Sequence, residues 1–150
     1  RISYMVLPQH LLKNYQNFCG FYSTTVSKIQ QEVLREFIRG GYFGRHLNKM
    51  RGIYKNKHDF LVSELKKRPW VENIAGDNAG LHVLVQVDTQ MSEEELCERA
   101  AEQGIHLMGI SEHYIHKPPV SKPVILLGYG KPDEKKILEG LNRLEQIILK

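Results

Sequence analysis

Two cysteines, one tryptophan and no long apolar run set the first limits on this 150-residue chain. A membrane-spanning helix needs roughly 20 consecutive apolar residues. No stretch here approaches that, so no membrane is expected among the partners. Cys19 and Cys97 stand far apart and form no close-spaced motif. Such a pair suits reduced thiols in a cytoplasmic protein better than a disulfide scaffold. The opening RISYMVLP lacks the basic, apolar and small-residue order of a leader. It also lacks an initiator Met, and its apolar run begins almost at once, so the chain reads as a fragment of something longer. Signatures of nucleophiles and phosphate loops are missing as well: there is no GxSxG, no GxGxxG and no P-loop. GGYFG (40–44) and GYGKP (128–132) carry glycines without the strand–loop–helix setting that a phosphate cradle requires.

What is present fits a globular domain. Hydrophobic residues make up 41% and charged residues 25%, ordinary proportions, and the length allows one domain with a real core. The net charge is +4, and one segment holds the whole excess. Between Arg35 and Arg68 ten Lys/Arg face three acids, at 36, 59 and 64. That span carries +7, which leaves −3 for the rest.

Periodicity orders the chain. ISYMVL (2–7) reads as a buried strand closed by Pro8, and residues 8–18 as a short helix with Pro8 near its start. Ser23, Thr24 or Thr25 is expected to cap the helix over 26–39, which Gly40-Gly41 breaks. A long helix follows over about 42–67. Phe43, Leu47, Met50, Tyr54, Leu61 and Leu65 fall on one face at 100° per residue, and Arg45, Lys49, Lys55, Lys66 and Lys67 on the other. WVENIAG and GLHVLVQVD read as a hairpin. Ser92 and Glu95 suggest a capping box for a helix that Gly104 closes, with acids filling its first turn. IHLMGI (105–110) and VILLGYG (124–130) read as strands joined by a polar loop. The last helix carries Pro132 in its first turn and Ile137, Leu141, Leu144 and Ile148 on one face. The order predicts an α+β fold: a small, mostly antiparallel sheet with helices on one side, preceded by long helices.

Candidate chemistry is sparse. Nucleic-acid binding by the basic helix would place aromatics beside the cations; here Phe43 and Tyr54 lie opposite them, so the charge run reads as a wet face. His106, His113 and His116 with Glu112 match no compact metal-ligand spacing, and no metal is expected. His82 reads as a half-buried structural histidine on its strand, and His46 as a helix-flank residue bonded to a neighbouring helix. Cys97, beside Leu96, reads as inert packing. No catalytic residue is assigned.

Several stretches together resemble one family. RISYMVLPQHLL is similar to the strand just after the cofactor lysine of fold type I pyridoxal-phosphate-dependent aminotransferases. Gln31, Phe37-Ile38, Gly41, His46, Met50-Arg51 and Tyr54 recur in the order found in the MocR/GabR-type subgroup of GntR-family regulators. GLHVLV, AAEQGIHLMGISEHY and ILLGYGKPDEKKILEGLNRL resemble that subgroup's C-terminal part. The resemblance runs over essentially the whole chain. It implies residues 1–70 as the end of the large subdomain with its connecting helices, and 71–150 as the small subdomain. The whole protein would be a homodimeric transcriptional regulator. It would reach DNA only through an N-terminal winged-helix domain outside this chain, and would sense a small amine, amino acid or vitamin on pyridoxal phosphate. The alternatives are a small-domain fragment of an active class I/II aminotransferase, or a small autonomous nucleic-acid-binding module.

Residue roles follow from the same resemblance. The Schiff-base lysine precedes the family's Arg-x-x-Tyr strand, and no lysine here matches its position, so the fragment alone is expected neither to transaminate nor to hold the cofactor covalently. Arg1 matches an arginine that contacts the cofactor phosphate; a frayed terminus is the equal alternative. Ser23, Thr24 or Thr25 corresponds to a hydroxyl that reaches a partner's phosphate, with helix capping as the competing role. Glu112, His113 and Tyr114, after a strand end, are the candidate effector contacts. Val124–Leu127 stand where active aminotransferases commonly carry a substrate-gripping arginine, and Lys57 where the subgroup often has arginine.

Overall fold

The computed structural model describes residues 2–76, 80–116 and 122–149. It divides into two compact units, 1–48 and 49–150.

The first unit is helical. The apolar run 2–7 is not a strand: it has no regular structure, and Tyr4 is 92% exposed. A strand needs a neighbour for its ladder of N–H and C=O groups, and among the described residues none pairs with it. Helix α1 (Gln9–Cys19) begins after Pro8, whose carbonyl accepts from Leu11 and Leu12 N–H. Helix α2 (Lys28–Arg39) is capped by Ser27, not by Ser23, Thr24 or Thr25. Ser27 Oγ accepts the Gln30 N–H at 3.3 Å while Gln30 Oε1 accepts the Ser27 N–H at 3.3 Å. Of these hydroxyls only Ser27 stands one residue before the helix, where two orphan N–H groups come within reach. Gly41, at φ 71°, turns the chain into α3 (Tyr42–Leu65). Phe37 sits 6.1 Å from Phe43 and 6.5 Å from His46, ring to ring, so His46 contacts an aromatic. Neither α1 nor α2 contains a buried residue.

Among the described residues, the sixteen buried hydrophobic ones, at positions 61 to 148, all lie in the second unit. Its sheet is antiparallel throughout, in the order β1-β2-β4-β3: β1 (Val71–Ala75), β2 (His82–Val87), β3 (Met108–Gly109) and β4 (Val124–Gly128). Val83 faces Leu127 and Val85 faces Ile125 in register, so alternation sends Val83, Val85, Val87 and Ile125 to one face. They share a core with Leu65, Trp70, α4 (Glu93–Glu102) through Leu96 and Ala100, and α5 (Glu134–Ile148) through Ile137, Leu141, Leu144 and Ile148.

Four local expectations change. His82 is exposed rather than half-buried, because it opens β2 on the opposite face. The strand expected over 105–110 shortens to two residues and continues as a 3-10 turn, Ile110–His113. Pro132 precedes the helix: Asp133 is the cap and accepts the Lys136 N–H at 2.8 Å. At α4 only half of the capping box forms. Ser92 Oγ accepts the Glu95 N–H at 3.1 Å, but the Glu95 carboxylate accepts from Arg99 at 2.7 Å. Of the turn GDNAG, residues 77–79 lie outside the described set.

Candidate functional site

The chain after β3 builds a small polar promontory in the second unit. β3 pairs through Gly109 and Ile125 at the edge of the sheet, and the 3-10 turn follows directly on it. Glu112, His113 and Tyr114 follow one another on this turn, and all three are exposed. His113 Nε2 lies 3.2 Å from Met108 Sδ, a contact that orients the ring against the end of β3. A carboxylate, an imidazole and a phenol within three residues offer an ammonium acceptor and two groups able to donate to a carboxylate.

The underside of this turn is held by α4. Glu93 Oε1 accepts the Ser111 N–H at 2.9 Å, and Oε2 accepts the Val124 N–H at 3.2 Å. In the sequence Glu93 is legible only as one of three acids in the first turn of α4. Its reach across 18 and 31 residues has no local signal. One turn further along α4, the half-buried Cys97 thiol is pushed up by burial and by the carboxylates of Glu93 and Glu112, partly offset by the Gly109 N–H. The thiol is therefore protonated at neutral pH, which agrees with an inert packing role. Alkylation of Cys97 at pH 7 should lag well behind that of a free model thiol, and Glu93→Gln should speed it. A Cys97 rate equal to that of the model thiol would refute this environment.

The other end of β4 is latched to α3. Lys57 Nζ donates to Gly130 O at 3.1 Å. The His58 ring meets the Tyr129 ring edge-on at 5.6 Å. The Tyr129 hydroxyl donates to Gly80 O at 2.8 Å, and burial pushes the phenol up. The folded state thus holds this proton more tightly than the unfolded chain does. That contribution is complete below the ordinary phenol value of about 10 and is lost as pH rises beyond it. Tyr129→Phe should cost about 1 kcal/mol at neutral pH and flatten the alkaline fall in stability. A thermal melt series from pH 8 to 11 checks both; an unchanged alkaline limb would rule the phenol out as its source.

The proposed cofactor contacts fare differently. Arg1 lies outside the described residues. Ser23 and Thr24 are exposed in the first unit, and Thr24 Oγ1 accepts the Val26 N–H at 3.3 Å, so that hydroxyl is engaged in a local turn. In the second unit, a groove of about 220 Å³ is walled mainly by apolar side chains, among them Leu61, Leu126, Ile137 and Leu144, with His106 and Lys136 also in its lining. Among the described residues, no three His, Cys, Asp or Glu side chains group as a metal site, and no helix is long and apolar enough to cross a membrane.

Comparison with known proteins places this geometry in context. Residues 1–122 match the model of the aminotransferase class I and II family. The chain is 37% identical over 147 residues to the uncharacterized HTH-type transcriptional regulator YdeL of Bacillus subtilis, covering 97% of this chain and 31% of that protein. It is 28% identical over 151 residues to the probable rhizopine catabolism regulatory protein MocR of Rhizobium meliloti, covering 99% and 30%. The chain thus spans under a third of the length of these curated relatives. Among solved structures it resembles a kynurenine aminotransferase of Pyrococcus horikoshii, with TM-score 0.65, 25% identity and 76% and 28% coverage. It also resembles an α-aminoadipate aminotransferase of Thermus thermophilus, with TM-score 0.70, 21% identity and 94% and 35% coverage.

Proposed function

Because this chain belongs to the aminotransferase class I and II family, we propose that it is the C-terminal portion of an aminotransferase-like, effector-sensing domain in a GntR/MocR-type transcriptional regulator. The observation that carries the reading is the likeness to HTH-type regulators, which extends over 97% of the chain at 37% identity. In this reading residues 1–70 close the large subdomain and supply connecting helices, and residues 71–150 are the small subdomain. The whole protein is a cytoplasmic homodimer that reaches DNA through a winged-helix domain outside this chain.

Pyridoxal phosphate, when bound by the whole protein, supplies an aldehyde that captures a primary amine. The residues of this chain provide the surroundings. Glu112 would accept hydrogen bonds from the ammonium of the incoming ligand, before that nitrogen gives up its proton and is captured. His113 and Tyr114 would donate to a ligand carboxylate, and Arg1, Ser23 and Thr24 would be the contacts for the cofactor phosphate. A small amine or amino acid is the matching effector. Its binding biases the small subdomain between alternative positions, and that population shift moves the DNA-binding domains.

An absorbance titration of the full-length protein tests this. Pyridoxal phosphate should give a visible band, and a panel of amines and amino acids should contain at least one that shifts it. Glu112→Gln should weaken that response about tenfold, the cost of one hydrogen bond to a charged group. A full-length protein that gives no visible band with pyridoxal phosphate would overturn the proposal. A second reading, an active aminotransferase, draws support from the solved aminotransferases of the same fold. It predicts steady-state turnover of an amino-acid and keto-acid pair in the same preparation.

A further inference from the structure

We infer that Glu93 is the positioning residue of the turn that presents Glu112, His113 and Tyr114. The inference rests on the sensing role proposed above. Ser111 lies within the 3-10 turn and Val124 opens β4, and the two oxygens of one carboxylate accept their N–H groups. A carboxylate that takes two backbone N–H groups makes charge-assisted bonds, stronger than those between neutral groups. Glu93 is also placed for this task. It is the first residue of α4, fixed behind the Ser92 cap, and it is half-buried where Glu94 beside it is exposed.

Gly109 supplies the independent observation. A Cβ at that position would stand 2.1 Å from Glu93 Oε1 and 2.6 Å from Glu93 Cδ. A carboxylate at the end of a free side chain would swing aside at little cost. This one would surrender both N–H groups by moving, so glycine at 109 keeps the clamp closed. A general effect of negative charge on the first turn of α4 needs neither contact, and Glu94 and Glu95 would supply that effect equally.

The full-length protein, carrying Glu93→Ala, Glu93→Gln, Gly109→Ala or the Glu93→Ala/Gly109→Ala pair, tests the clamp by amide hydrogen exchange over residues 110–116 and 122–126. Glu93→Ala should accelerate exchange at Ser111 and Val124 about tenfold or more, while β2 and α5 keep their protection. Glu93→Gln retains one acceptor oxygen and should fall between. Gly109→Ala should match Glu93→Ala, and the double variant should add little to either. Exchange at both amides unchanged by Glu93→Ala, or effects of the two sites that simply add, would overturn the inference. Should Glu93→Ala lose protection throughout, Glu93→Gln and Gly109→Ala decide by the same criterion. A missing visible band with pyridoxal phosphate would sink the sensing role and leave this measurement intact.

Discussion

Trp70→Ala should lower the stability of the 49–150 unit by about 3–5 kcal/mol in a denaturant titration, the range for removing a large aromatic from a packed core. Trp70 is 1% exposed and heads the fully buried side chains by size. It also stands at a joint: its carbonyl accepts the Asp88 N–H at 2.8 Å, where the β1–β2 hairpin ends. Its indole N–H has no hydrogen-bond partner among the described residues. A buried donor left unmatched costs about 1–3 kcal/mol. Trp70→Phe therefore loses packed area but also removes the orphan donor, and its cost should stay under about 1.5 kcal/mol. If phenylalanine proves as damaging as alanine, the N–H is engaged after all. If alanine costs under about 1 kcal/mol, the tryptophan is not the keystone of this core.

Arg68→Met should cost about 2–3 kcal/mol, unusually much for a charged side chain. Arg68 joins the end of α3 to α5. Its guanidinium bonds the Glu145 carboxylate through one nitrogen and Asn142 Oδ1 through another at 2.6 Å. The side chain is 11% exposed and that of Glu145 26%. Surface ion pairs contribute little because water screens them, but this pair is mostly screened from water. Methionine keeps the apolar stem and removes the charge, leaving a mostly covered carboxylate without this counterion. Pairing Arg68→Met with Glu145→Leu should recover most of the loss, since the stranded carboxylate goes too. A double variant no more stable than Arg68→Met alone would locate the cost in packing. By contrast, Arg99–Glu95 and Arg143–Glu139 are about half exposed on their helices, and their removal should be nearly silent.

These two sites mark where sequence reading succeeds and fails. The helices α2, α4 and α5 and the β1–β2 hairpin were legible, because periodicity and breakers act over a few residues. The buried face Ile137, Leu141, Leu144 and Ile148 follows from one spacing rule and is found as expected. Residues 2–7 misled because an apolar extended run looks the same whether or not a partner strand lies in the same chain. Ser27 has the same capping chemistry as Ser23, Thr24 and Thr25, and register alone decides among them. Glu93 was hidden by its neighbours. Ser92 and Glu95 fit a familiar local motif, whereas Glu93 acts on residues 111 and 124 through folded geometry. Arg68 likewise sat in a run of cations, and nothing local distinguishes it from the exposed Lys66 and Lys67. The family resemblance drew on the order of residues along the whole chain, so such local errors left it untouched.

The scarcity of cysteine has a practical use. Each compact unit holds a single free thiol, Cys19 at the end of α1 and Cys97 inside α4. The chain is therefore already a two-site ruler, with one attachment point on each body and none to remove. Because burial and two carboxylates hold Cys97 protonated, a donor dye can be placed first on Cys19 at neutral pH. The acceptor can then be driven onto Cys97 in a second, more alkaline step. Energy transfer between the dyes would report the separation of the two units in solution.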